Sequence, residues 1–355
     1  MFLVILAVVI SVWGLMYPVH QDEAVFMEVG QGMVEGKLFY RDFSDFKPPG
    51  IYGIQFLVSS FEFQVKKLDG DQWLDVVMIT RLLVIGVNLV SAGMIWLIGR
   101  EVGVGREGRM LMALSYLILL QVYQGQFGLT EPWMAVFLLG GVWLLMRWGS
   151  GITVHLGGVK AHPRGEAKEF FLIFFGGMGM GMAMMFKQAA VVNVIAISFW
   201  LLVVSKHRVS WVSGISRVIA LGLGMMAVWL PVVIWFVNQG IWDDFWRVAV
   251  IYPLTEYPPL WQETVRQLPV MLWPIAVWII LVRGIWGRVG GEIRDSRDSR
   301  NLVVRQLLWL MQLLPLSLVL SRPYHHYWLQ VLPFVIISVA ISNRKSVIGN
   351  WKLGN

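Results

Sequence analysis

The chain contains no cysteine, which removes disulfides, a thiolate nucleophile and Cys-ligated metal centres from the chemistry open to it. Charge is scarce as well. Asp, Glu, Lys and Arg make up 14% of its 355 residues, 57% are hydrophobic, and the mean hydropathy is +0.65. A soluble globular domain carries roughly 25% charged residues, so this composition argues for the bilayer as solvent. Residues 1–17 lack a basic n-region and a small-residue cleavage site, and read as a retained first helix instead of a cleaved signal peptide. No internal repeat marks the two halves that many transporters have. A phosphate-binding glycine loop is missing too. Gly176, Gly177, Gly179 and Gly181 lie inside an apolar run with no strand before them, where Gly177 and Gly181 form a small-xxx-small pair suited to close helix packing.

Apolar runs are what the sequence has in abundance. About ten read as membrane spans, at 1–17, 82–98, 110–124, 132–147, 169–186, 189–204, 218–237, 269–282, 306–320 and 327–341. The expected fold class is therefore all-α: a polytopic integral membrane protein forming a single domain over 1–355. With the N-terminus in the cytoplasm, the loops 99–109, 147–168, 205–217 and 283–305 and the tail fall inside. They hold 19 of the 29 Lys and Arg, as the positive-inside rule requires. That topology accounts for the net charge of +7, and nucleic acid is not an expected partner. Even the Arg-rich segment 283–305 is interrupted by Glu292, Asp295 and Asp298. Acidic residues favour the opposite side, where two segments are long, 18–81 and 238–268. No separate soluble C-terminal domain is expected.

The first outer loop concentrates the chemistry. Val25, Val29 and Met33 recur at helical spacing opposite Glu28, Gln31 and Glu35, which predicts a short amphipathic helix on the membrane surface. Asp22 and Glu23 stand just before it, and a carboxylate there is either a helix N-cap or a general base. Further on come Gly36, Tyr40, Asp42, Asp45 and Lys47-Pro48-Pro49-Gly50. Proline confines the residue before it to extended conformations, so Lys47 sits on a stiff ledge. Such an ammonium either receives a lipid phosphate or is an ordinary loop lysine beside a turn.

The ensemble resembles a known family. Asp22-Glu23 after the first span, then Gly36, Tyr40, Asp42 and Lys47-Pro48-Pro49, is similar to the first outer loop of the GT-C glycosyltransferases. The family 39 type is nearest in character; it includes protein mannosyltransferases, the aminoarabinose transferase of lipid A and bacterial RgtA/B/C/D-like proteins. Further matches are Thr130-Glu131 opening a span, Lys187-Gln188 closing the glycine-rich one, and Arg322, Tyr324, His326-Tyr327 and Pro333 near the last.

The resemblance implies a glycosyltransferase in the bacterial cytoplasmic membrane, its active site facing outside. It would move a sugar from a polyprenyl-phosphate donor to a lipid, glycan or protein acceptor, with inversion. Asp22 maps to the catalytic base. Lys47, Arg322 and Lys187 map to the donor phosphate, and Glu23, Asp42, Glu131, His326 and Tyr327 to its sugar and surroundings. In the aminoarabinose transferase an acidic residue before the Lys-Pro pair helps to hold a metal; here Phe46 stands in that place, which leaves Glu131 as the candidate for a divalent ion. Plainer readings stay open for several of these. Lys187 and Arg322 can snorkel to the interface. Glu131 can face water at a helix N-terminus, and Tyr324, Tyr327 and Trp328 can form an aromatic belt. His325 and His326 point about 100° apart if helical, so one of them is expected to reach a site. The rings and carboxylates of 238–268, such as Trp242, Asp244, Tyr257 and Trp261, suit sugar gripping or interfacial anchoring. A secondary transporter or flippase, and a non-catalytic membrane subunit, are the alternatives from other classes.

Overall fold

The computed structural model describes residues 5, 9, 12, 14–69, 75–149, 152–155, 158–161, 166–206, 211–257, 260–289, 307, 308, 310–312, 315, 316 and 324–342. Arg322, and most of the expected spans 1–17 and 306–320, lie outside the described residues. Helices carry the fold: α1 (Gln21–Val34), α2 (Pro49–Asp69), α3 (Val76–Glu101), α4 (Arg106–Val122) and α5 (Thr130–Gly149) come first. After them follow α6 (Glu166–Phe186), α7 (Ala190–Lys206), α8 (Trp211–Asn238), α9 (Trp261–Val289) and α10 (Leu332–Ser342). A small antiparallel hairpin, β1 (Ile152–His155) and β2 (Gly158–Ala161), pairs Ile152 with Ala161 and His155 with Gly158 between α5 and α6.

Among the described residues four stretches are long and apolar enough to cross a membrane: Val76–Glu101, Ala167–Phe186, Val212–Asn238 and Trp261–Leu281. At about 1.5 Å per residue each spans a hydrocarbon core roughly 30 Å thick. Two shorter apolar helical stretches are Ala190–Val203 and Leu332–Ile341. The protein thus fits an all-α membrane protein. The connector expected over 238–268 is shorter than that, because Trp261 already opens α9.

Helix α6 is the centre of the packing, and glycine is why. A methyl group on Gly177 would collide with the Leu221 carbonyl, and one on Gly224 with the Phe174 carbonyl, so α6 and α8 touch backbone to backbone. On its other side Gly179 meets Gly141 of α5, where an added carbon would stand 3.0 Å from the Gly141 Cα. Small residues that let backbones approach are the main source of attraction between helices in lipid.

The connectors divide between the two ends of this bundle. At one end Arg147 faces Glu101 at 3.8 Å, and Arg217 reaches Glu169 at 3.5 Å and covers the Trp148 ring. At the other end the 20–48 stretch, the α4–α5 turn, the α6–α7 turn, the α8–α9 connector and the 324–330 turn meet one another.

The stretch expected as the first outer loop folds against the bundle and not as a lone surface helix. Gly30 of α1 lies on the backbone of Gln55 in α2, and the buried residues of α1 are Glu23, Phe26, Met27, Val29, Gly30 and Gly32. That corrects the expected stripe: Val29 is buried and Met33 half-buried, but Val25 is exposed and borders a cavity. A helical partner rotates the buried face away from where a flat membrane surface would have put it.

Candidate active site

The start of α1 sorts its two carboxylates into different jobs. His20 is the N-cap, its Nδ1 accepting the Asp22 amide at 3.2 Å, and Glu23 closes a capping box by accepting the His20 amide at 3.2 Å. Glu23 also receives Arg81 of α3, Nε at 3.2 Å and Nη2 at 2.8 Å, and the Gly128 amide at 2.9 Å. Arg81 uses its remaining donors on the carbonyls of Gly14, Leu15, Tyr17 and Pro18. Every part of this pair is buried. Glu23, expected beside the donor, is instead a clamp between the Gly14–Pro18 stretch, α3 and the α4–α5 turn. Asp22 takes no part in capping and borders a cavity with its side chain 39% exposed.

That cavity, of about 450 Å³, lies where the outer-assigned connectors converge. Lys47 also borders it, 14% exposed, with its Nζ 4.0 Å from Asp22 Oδ2 and 4.6 Å from the centre of the Phe46 ring. The stem is flexible; the backbone beneath it is not. Tyr40 donates its hydroxyl to the Lys47 carbonyl at 2.7 Å, and the Tyr52 hydroxyl accepts the Lys47 amide at 3.2 Å. Gln188 donates to the Phe46 carbonyl at 2.6 Å and to the Ala249 carbonyl at 3.1 Å, within a π-helical turn over Trp246–Ile251. Tyr40 does this from the left-handed region, φ 68°, which costs a bulky residue roughly 1–2 kcal/mol.

Asp45 borders the same cavity and was not singled out by sequence. Its Oδ1 accepts the Phe46 amide at 2.9 Å. Burial pushes its carboxyl above the usual carboxylate range, and Lys47 and the Tyr52 hydroxyl offset part of that rise. Two residues before a Lys-Pro pair, on a turn, Asp45 looks in sequence like any loop aspartate.

Behind the cavity wall a second group is buried. Lys187, just past α6, pairs with Glu131 in the first turn of α5, and the Thr130 hydroxyl donates to Glu131 at 3.1 Å. The Lys187 ammonium lies 3.4 Å over the Tyr327 ring, so it is held by protein partners and does not snorkel. Burial pulls Lys187 below the ordinary lysine value, against the pull of Glu131. His326 Nε2 is 3.7 Å from Glu131, while its Nδ1 meets the Gln124 amide oxygen at 3.2 Å. Burial pulls His326 down to about 4, so it is neutral at ordinary pH. Gln124 is the second non-glycine residue with positive φ among the described residues, at 62°, and unlike Tyr40 it borders the cavity. Strain of this kind clusters at functional sites.

The remaining expectations fall out as follows. His325 and His326 both border the cavity, as do Tyr324 and Tyr327; the 3-10 turn His325–Gln330 lays this stretch along the cavity instead of turning it through an α-helix. Tyr324 stacks on His326 at 5.7 Å. Asp42 is exposed and spends Oδ2 on the Leu38 amide at 2.7 Å, so it shapes a turn and does not reach the cavity. Of the aromatic residues in the α8–α9 connector, Tyr257 borders the cavity, 4.8 Å from Phe46 ring to ring. Asp244 instead pairs with Arg41 at 3.2 Å, tying this connector to the Lys47 loop. Among the described residues no three His, Asp or Glu side chains form a metal-binding set, and Glu131 is already compensated by Lys187.

No protein-family model matches the chain, and no curated protein matches it.

Proposed function

We propose that the chain is a membrane glycosyltransferase of the GT-C type, taking a sugar from a polyprenyl-phosphate donor at the outer face of the bacterial cytoplasmic membrane. The observation that carries this reading is the meeting of Asp22 and Lys47, 4.0 Å apart, on the wall of one cavity. The reading includes the shorter helices as spans, about ten in all, with the α1–α2 loop outside. Nucleotide sugars are made in the cytoplasm, so a donor used outside arrives activated on a lipid, and the phosphate is its leaving group.

Asp22 accepts the proton of the acceptor hydroxyl as that oxygen bonds to the anomeric carbon. The bond from the anomeric carbon to the phosphate oxygen breaks, and the phosphate leaves with the electron pair beside Lys47. In-line displacement puts base and leaving group on opposite faces of the sugar and inverts the anomeric carbon, so the Lys47 ammonium moves away from Asp22 with the phosphate when donor binds. Without donor, Lys47 neutralises Asp22. A bound phosphate competes for the ammonium and releases the carboxylate, so donor binding readies the base.

A transporter reading asks for ionisable groups at mid-span. The buried pair Glu131 and Lys187 stands at helix ends instead, in the first turn of α5 and just after α6. Incubating membranes that contain the protein with labelled polyprenyl-phosphate sugars, and identifying the labelled product, tests the proposal. Transfer to a membrane or envelope acceptor supports it; unchanged label from every donor sugar, with the protein present and folded, rejects it.

A further inference from the structure

Lys47 is flanked by two peptide groups with three hydrogen-bonding atoms between them, because Pro48 contributes no N–H. Each of the three is met by a different side chain. Gln188 donates to the Phe46 carbonyl, Tyr52 accepts from the Lys47 amide, and Tyr40 donates to the Lys47 carbonyl, at 2.6, 3.2 and 2.7 Å. The three come from three separate places: the turn after α6, helix α2 and the loop before Lys47 itself. Tyr40 and Tyr52 are 3% and 1% exposed, so neither hydroxyl has water as an easy substitute.

An ordinary loop lysine needs none of this. Loop backbone normally satisfies itself with water at the surface, whereas here Tyr40 adopts a left-handed conformation, buried against Phe39, Tyr52, Phe236 and Phe245, and places its hydroxyl on the Lys47 carbonyl. What the arrangement does achieve is a fixed origin for the Lys47 stem. The side chain then swings from a known point between Asp22 and the cavity.

We propose that Tyr40, Tyr52 and Gln188 are positioning residues that hold both peptides flanking Lys47 and so set where its ammonium meets a phosphate. This rests on the proposed role of Lys47. Gln188 also donates to Ala249, so the same amide fixes the Lys47 loop relative to the α8–α9 connector, where Phe46 meets Tyr257.

The test is binding of a polyprenyl monophosphate, and in parallel of the phosphate-free polyprenol, to the purified full chain in detergent. Wild type is compared with Lys47→Ala, Tyr40→Phe, Tyr52→Phe and Gln188→Leu. Each of the three positioning variants is expected to lose about five- to tenfold in affinity for the phosphate lipid, the scale of one hydrogen bond. Lys47→Ala loses more, and polyprenol affinity stays level throughout. A general folding defect lowers both lipids together, and that result overturns the inference. If Lys47→Ala loses the phosphate lipid while Tyr40→Phe, Tyr52→Phe and Gln188→Leu keep it, the inference is overturned and the role of Lys47 stands. If Lys47→Ala binds as wild type does, the role of Lys47 falls and the inference falls with it.

Discussion

Glu23 and Arg81, 58 positions apart, form a doubly hydrogen-bonded pair whose side chains are 0% and 2% exposed. The pair sits one residue from Asp22. It welds the stretch before α1 to α1 and α3, and so bears on which way the neighbouring carboxylate faces. Breaking a buried pair by removing one partner strands the other charge, at a cost of roughly 3–5 kcal/mol. Glu23→Ala and Arg81→Ala should each lower thermal stability strongly. The double variant Glu23→Gln with Arg81→Met should lose less than either. Melting curves in detergent check this; additive losses would show that the pair is not coupled.

Asp22→Asn keeps the shape of the side chain and removes its basicity. Transfer should fall by about a hundredfold or more, the usual contribution of a general base. Membrane insertion and melting temperature should hold, since Asp22 caps nothing. Full activity in this variant would reject its assignment.

Lys47→Ala should raise the donor concentration needed for half-maximal transfer far more than Lys47→Arg, which keeps a cation on the same backbone. A donor titration with fixed acceptor measures it. Equal behaviour of the two would take charge out of the explanation.

Asp45 is a carboxyl whose folded-state value is raised by burial. The unfolded chain therefore ionises it first, from the ordinary value of 3.8. Its contribution to stability is fully present below that value and is lost as pH rises through the folded one. Asp45→Asn should melt higher than wild type at neutral pH, and the gap should close as the buffer is acidified towards 4. A gap independent of pH would contradict the burial argument.

Two glycines of α8 make an internal control. A methyl on Gly222 meets nothing within 4 Å, so Gly222→Ala should gain up to about 1 kcal/mol of helix stability. Gly224→Ala should instead lose about 1–3 kcal/mol, because its methyl runs into the Phe174 carbonyl of α6. Thermal melts of the two variants side by side decide it.

Much of the helical layout is legible in sequence because hydropathy is a local property. The stretches 82–98, 169–186, 218–237 and 269–282 fall within or along helices long and apolar enough to cross a membrane. The buried face of α1 was not legible, since it depends on Gln55, a residue outside the helix. Asp22 and Lys47 could be singled out because a carboxylate after a span and a lysine before two prolines are local signals. Gln188, Tyr52 and Asp45 matter through partners far along the chain or through burial, neither of which leaves a periodic trace. Asp42 and Glu23 show the reverse: acidic neighbours of a site attract attention in sequence, yet one turns a loop and the other fills a clamp.

Gln188 lies two residues past the end of α6, whose glycines bring it into backbone contact with α5 and α8. The reach of its amide is thus decided by contacts about half a hydrocarbon core away, some three helical turns down α6. A bulky group inserted at Gly177 would be felt at the far rim as a lysine held in the wrong spot, and a lesion among lipid tails would pass for a lesion in the chemistry.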